Sequence, residues 1–193
     1  QVALLGGEPF LRPWAIDLAE LIVELGHQLT IFTNGTVHGT DDELARRTAA
    51  LSRRGAEVRV SLAGPTAALC DGASRAPRFF TVLEGIRRLH RHGGKPIVDL
   101  MCLPRHVDEL AAGFHELRGL LPPGTPISLG ILYLSGREQG EHLFGSRAEL
   151  ESALDRIAFE AGETISAPRR APLTYRREGC GCALGQHVHV RSD

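Results

Sequence analysis

The sequence predicts an α/β fold built on a parallel sheet. Short runs rich in apolar or β-branched residues begin near Val2, Gln28, Val58, Pro96 and Ile127, about 26 to 38 residues apart, the length of a strand-plus-helix unit. Each is followed by a segment with helical apolar spacing. The runs Val2–Leu5, Leu29–Phe32, Val58–Leu62, Ile97–Met101 and Ile127–Leu132 have the character of strands covered on both faces. Five successive βα units leave two architectures, a doubly wound sheet or a sheet curved into a barrel, and periodicity alone does not choose between them.

The elements follow in order. The first run ends in Gly6-Gly7-Glu8-Pro9, where glycines permit a sharp turn and a close ligand approach. Pro13 fits the first turn of a helix with Trp14, Leu18, Leu21, Ile22 and Leu25 on one face and Gly26 at its end. Thr40-Asp-Asp-Glu43 reads as a capping box opening a helix to Arg54, stopped by Gly55. Phe79, Val82, Leu83, Ile86 and Leu89 form a stripe of helical period ended by Gly93-Gly94. A fourth helix is expected from about Arg105 to Gly119, and Ser146-Arg-Ala-Glu149 is a second capping box before Leu150, Leu154, Ile157 and Ala161. The pattern breaks after Gly162. Residues 1–165 are therefore read as the barrel-like domain, and 166–193 as a linker followed by the start of an extension.

Composition is that of a water-soluble globular protein, with 42% hydrophobic and 23% charged residues in 193. A net charge of -1 gives no reason to expect nucleic acid or a membrane surface. No apolar run approaches the length of a transmembrane helix and no basic leader precedes a hydrophobic core, so a cytoplasmic location is expected. The arginines at 169, 170, 176 and 177 read as a solvated connector. The chain opens on Gln1, its only methionine is Met101, and His187–Asp193 alternate like a strand running off the end; the expectation is a fragment.

In a parallel sheet, ligands bind beyond the carboxyl ends of the strands. There stand Gly6, Gly7, Glu8 and Pro9 after the first strand and Asn34 with Gly35 after the second. Ser61 stands at the third, with Asp71 and Arg75 in the loop that follows. Asp99 and Cys102 belong to the fourth strand, and Tyr133 with Ser135-Gly136-Arg137 to the fifth. A carboxylate, an amide, a hydroxyl and an arginine on one rim suit a zwitterionic ligand carrying a sugar: Glu8 for an ammonium, Arg75 for a carboxylate, Ser61 or Asn34 for ribose hydroxyls.

Gly6-Gly7-Glu8-Pro9, then Thr33-Asn34-Gly35, then Val58-Arg-Val-Ser-Leu-Ala-Gly-Pro65 with Phe79–Gly85 and Ile86-Arg-Arg-Leu, resemble in order and spacing the core of a radical S-adenosylmethionine enzyme, from about residue 2 to residue 110. The resemblance implies a partial (β/α) TIM-like barrel in which Gly6, Gly7, Glu8 and Pro9 form the loop at the methionyl amino group. It sets Ser61 near the ribose, Arg75 near the carboxylate and Asn34 at the rim. It also implies a [4Fe–4S] cluster, an external electron donor, and cleavage of the cofactor to methionine and a 5′-deoxyadenosyl radical that abstracts hydrogen from substrate. The family often has Asp where this chain has Ala63, so that side chain's role is absent.

The three-cysteine C-x-x-x-C-x-x-C motif that defines the family does not occur in these residues. The primary cluster ligands are therefore expected upstream, and the fragment alone is expected to be inert. Cys180-Gly-Cys182 and the residues after it resemble the start of a SPASM or twitch extension, which implies Cys180 and Cys182 as ligands of an auxiliary iron–sulfur cluster and a peptide or protein as substrate. His187 and His189 share one face of the terminal strand pattern and read as surface histidines. Two other readings stay open: an iron-independent βα-barrel enzyme for a nucleotide or sugar phosphate, and a non-catalytic S-adenosylmethionine-binding relative.

Overall fold

A computed structural model describes residues 1–74, 76–131, 147–161 and 188–190. Six strands form one parallel sheet: β1 (Val2–Leu4), β2 (Leu29–Thr33), β3 (Glu57–Leu62), β4 (Ile97–Cys102), β5 (Ile127–Ile131) and β6 (Val188–Val190). Their order is β5-β4-β3-β2-β1-β6, and every pairing is parallel. The five predicted strands are therefore all present. The sequence of neighbours from β1 to β5 follows the chain, so successive right-handed crossovers carry every intervening helix to the same face. This is half a barrel wall, not a doubly wound sheet. Val188–Val190 lies beside β1, with Val2 opposite Val188 and Leu4 opposite Val190.

The helices are α1 (Ala15–Glu24), α2 (Thr36–Thr40), α3 (Asp42–Arg53), α4 (Ala67–Ser74), α5 (Phe79–Arg91), α6 (Val107–Leu120) and α7 (Arg147–Ala161), with 3-10 turns at Pro9–Leu11 and Pro104–His106. Strand alternation sends Val58, Val60 and Leu62, and Val98, Leu100 and Cys102, toward the helices, where all are almost fully buried. Leu83, Ile86 and Leu89 of α5 and Leu110, Phe114 and Leu117 of α6 close that core. The opposite face keeps Arg59, Ile97, Asp99 and Met101 half-buried and Ser61 exposed. The expectation of strands covered on both faces holds for β2, where Thr30 and Thr33 are buried along with Leu29 and Ile31; among the described residues, β3 and β4 bury one face fully and keep Arg59, Ser61 and Asp99 on the other.

Local differences have local causes. Helix α1 buries Ala15, Ile16, Ala19 and Ile22, leaving Trp14, Leu21 and Leu25 exposed; the helix is apolar on two sides, and the smaller side chains fit against β2. Helix α3 is capped by Asp41, whose carboxylate accepts from Leu44 N–H at 2.9 Å. Thr40 instead ends α2 and donates back to the Val37 carbonyl at 3.1 Å. Helix α4 was not expected; its sign is Thr66, whose hydroxyl receives Leu69 N–H, a cap residue ahead of Ala-Ala-Leu. The second capping serine, Ser146, lies outside the described residues.

Helices α2 and α5 cross at near backbone contact through Gly39 and Gly85. A Cβ on Gly85 would strike the carbonyl oxygen of Gly35, and one on Gly39 the carbonyl of Thr81. Gly85→Ala should therefore cost about 1–3 kcal/mol, read as a lowered urea midpoint. Gly72→Ala in α4, where an added Cβ meets nothing within 4 Å, should leave the midpoint unchanged or raise it.

Candidate functional site

The parallel register brings the ends of β1, β2 and β3 level, so the loops after β1 and β2 sit side by side. Gly6 has φ 137°, a conformation open to glycine, and Gly6 and Gly7 are exposed. Among the described residues, a Cβ on Gly7 would meet no atom within 4 Å. Glu8 then turns inward and is 6% exposed. One carboxylate oxygen accepts from Phe10 N–H at 3.2 Å and the other from Asn34 N–H at 2.6 Å; the Thr33 hydroxyl, 2.9 Å from both, donates into the pair. Thr33 Oγ1 in turn receives Gly35 N–H at 3.0 Å.

The Glu8 carboxylate faces protein donors and ties the first loop to the second, while the Gly6-Gly7 backbone is left exposed. Burial pushes the Glu8 carboxyl upward, opposed by the hydrogen bonds from Asn34, Phe10 and Thr33. Pro9 is buried at the start of its 3-10 turn. The Asn34 side chain accepts from Thr36 N–H at 2.9 Å and from Thr36 Oγ1 at 2.6 Å, which fixes the entry to α2. Gly35 stands there with φ 74°.

Beneath the two loops lies a group that the sequence reading passed over. His38 is fully buried, with Nε2 3.1 Å from Thr48 Oγ1 and the ring edge-on to Phe10 at 4.9 Å. Among the described residues its Nδ1 has no hydrogen-bond partner. Burial lowers its pKa to about 4, against a smaller upward pull from Asp41, so the ring is neutral at physiological pH.

Ser61 is exposed on the polar sheet face, paired in register with Asp99, and Asp99 with Ser128. Asp99 lies within the strand and not at its end. Arg59 holds it bidentately, Nε to one oxygen at 2.7 Å and an NH2 to the other at 2.6 Å, and also reaches Ser128 Oγ at 3.2 Å and Glu57 at 2.6 Å. The guanidinium lies 5.8 Å from the Phe32 ring centre. An arginine and an aspartate between apolar neighbours in adjacent strands were the available sign of this network. Asp71, expected at the rim, accepts from Arg78 and Phe79 N–H at 2.8 and 2.9 Å and caps α5.

Cys102 is buried within the helix-facing core, where burial pushes its thiol up to about 11, and Cys70 is buried on α4. Among the described residues no cluster of side chains could hold a metal ion, and no helix is long and apolar enough to cross a membrane. Arg75, Cys180, Cys182, Tyr133, Ser135, Gly136, Arg137 and His187 lie outside the described residues, as does the side chain of His189.

The family described as the Radical SAM superfamily matches residues 1–112. Among solved structures, one described as native anSMEcpe with bound AdoMet and Kp18Cys peptide superposes with a TM-score of 0.57 at 18% identity, covering 86% of this chain and 49% of that one. Native anSMEcpe with bound AdoMet gives 0.56 at 19% identity, with the same coverage. The chain spans about half the length of these structures, and at this identity the likeness is one of fold. No curated protein matches.

Two outcomes follow from the loop geometry. Thr33→Val removes the hydroxyl that serves Glu8 and Gly35 together and should cost about 2 kcal/mol in chemical denaturation at pH 7. For His38 the folded pKa is depressed, so its contribution is complete above the unfolded value of 6.5 and is lost as pH falls toward about 4. Stability should decline across that window by up to about 3 kcal/mol, and His38→Leu should flatten the decline.

Proposed function

Because the chain belongs to the radical SAM superfamily, we propose that it binds S-adenosylmethionine across the carboxyl ends of β1, β2 and β3 and serves hydrogen abstraction from a peptide or protein substrate. The observation that carries the reading is the exposed Gly6-Gly7 backbone, held at the strand tip by a buried Glu8 that consumes its own acceptors on Phe10, Thr33 and Asn34. The residues present fit the cofactor: open glycine backbone for an ammonium, and a hydroxyl at Ser61 on the polar face for ribose. Arg75 is proposed for the carboxylate and Asn34 for the rim.

Family membership also implies a [4Fe–4S] cluster. Three thiolates are needed to leave one iron open, and the described cysteines, Cys70 and Cys102, are single and buried. They do not fit that role. We propose that the primary ligands come from outside these residues, and that Cys180 and Cys182 begin a SPASM-like extension with an auxiliary cluster. When bound, cluster and cofactor together supply the 5′-deoxyadenosyl radical. The chain's own share is to bind and orient S-adenosylmethionine and to keep the reacting atoms from water. The peptide substrate is supported by the peptide bound in the solved structure of similar fold.

Calorimetric titration of the anaerobically purified full chain with S-adenosylmethionine tests the reading. Binding is expected, and Glu8→Gln should weaken it by about tenfold, because the amide nitrogen would face either the Asn34 or the Phe10 N–H donor and displace the loop. Absence of binding by a folded wild-type chain would contradict the proposal.

A further inference from the structure

We infer that the turns entering β3 and β4 form a docking surface for an acidic segment of a partner protein, at the end of the sheet remote from the strand tips. The sequence concentrates cations there. Arg53 and Arg54 close α3, Arg87, Arg88 and Arg91 lie near the end of α5, and Lys95 precedes β4. Two carboxylates, Glu84 and Asp42, are paired among these six cations. Glu57, at the start of β3, is held by Arg59 instead. The whole chain has a net charge of -1, so the excess of positive charge is local. Because β1 to β4 run parallel, the amino ends of β3 and β4 lie opposite the edge that carries Gly6 and Gly7, and a partner seated here leaves that edge open.

The surface is set before any partner arrives. Arg53 donates through Nη1 to the His92 carbonyl, Lys95 N–H donates to Ser52 Oγ at 3.0 Å, and Arg87 reaches the Leu120 carbonyl at 2.9 Å. Gly94 lies so close to α3 that a Cβ there would stand 3.1 Å from Ala49 Cα. The turn and the end of α3 therefore act as one piece, which lowers the ordering cost of binding. Among the described residues, Arg53, Arg54, Arg87 and Lys95 form no ion pair with a carboxylate, and Arg53, Arg54 and Lys95 are exposed. Cations in a last helical turn complement the helix dipole, but that effect fades within the turn. Lys95 lies beyond His92, the C-cap of α5, and gains little from it.

The pattern favours protein carboxylates over a nucleic acid. Glu84 accepts from Arg88 at 3.1 Å and Arg91 at 3.0 Å, and Asp42 lies 3.2 Å from His92 Nε2. Acids set among the cations repel a continuous phosphate backbone. An acidic protein segment can place separate carboxylates on Arg53, Arg54 and Lys95 around them. Helices α3 and α5 both end here, and the negative ends of their dipoles oppose phosphate, which is favoured at helix N-termini. None of the six cationic positions is joined by an aromatic ring on which bases could stack.

The test titrates the full chain into a fluorescein-labelled polyglutamate peptide and into a labelled single-stranded DNA of equal charge, read by fluorescence anisotropy. At about 50 mM salt the peptide should bind more tightly than the DNA, and at about 300 mM its affinity should fall about tenfold. The double variant Arg54→Glu, Lys95→Glu should lose about tenfold in peptide affinity. Arg105→Glu, an exposed position past the carboxyl end of β4, should lose none. Absence of peptide binding, DNA binding as tight as the peptide's or tighter, or a double variant that loses no more than Arg105→Glu overturns the inference. If the double variant does not fold, the wild type supplies the reading, because Lys95 is the only lysine in the sequence. Its acetylation by an N-hydroxysuccinimide ester, followed by mass spectrometry, should be suppressed by the peptide; labelling at Lys95 that the peptide leaves unchanged overturns the inference.

Discussion

The buried carboxylate of Glu8 is the constraint on which the upper edge of this sheet depends. A charge at that depth is unfavourable without strong partners, and its partners come from two segments of chain about 25 residues apart: Phe10 from its own loop, Thr33 and Asn34 from the next. The two loops are therefore set as one unit. With Glu8 turned inward, Gly6 and Gly7 are turned outward. With Thr33 held, Gly35 can start α2 in a left-handed conformation, and Asn34 can receive Thr36. The close crossing of α2 over α5 and the burial of His38 against Phe10 support the same unit from below.

The other organising fact is the order of the strands. A sheet whose neighbours follow the chain has its helices on one side, and so has two unlike faces. The helix side is apolar and closed. The other side bears Ser61 and a network in which Arg59 joins Asp99 and Ser128 across three strands by hydrogen bonds that an apolar core would not need. The loops at the strand tips adjoin this face at the ends of β1, β2 and β3.

Much of this was legible in the residues. The strands at Leu29–Thr33, Glu57–Leu62 and Ile97–Cys102 lie where short β-branched runs stand, and α5 where Phe79 to Leu89 keep a helical period. Gly-Gly-Glu-Pro marked the turn after β1, where Gly6 and Gly7 are exposed and Glu8 is buried. What was not legible depended on tertiary placement. A glutamate at a strand tip looks the same whether it faces a ligand or the neighbouring loop, and only the position of Thr33 and Asn34 decides. Helix α1 carries two apolar faces, and the one with Trp14 and Leu21 is the larger, yet the sheet accepts the smaller residues Ala15 and Ala19. The pairing of Arg59 with Asp99 joins residues 40 positions apart, a separation that no local pattern reports.

The most direct test is a crystal structure of the chain with S-adenosylmethionine bound. The cofactor's amino group is expected within hydrogen-bond distance of the Gly6-Gly7 backbone while the Glu8 carboxylate keeps Thr33 and Asn34. A Glu8 side chain swung outward to the ammonium, or a cofactor seated away from the ends of β1 and β2, would contradict it.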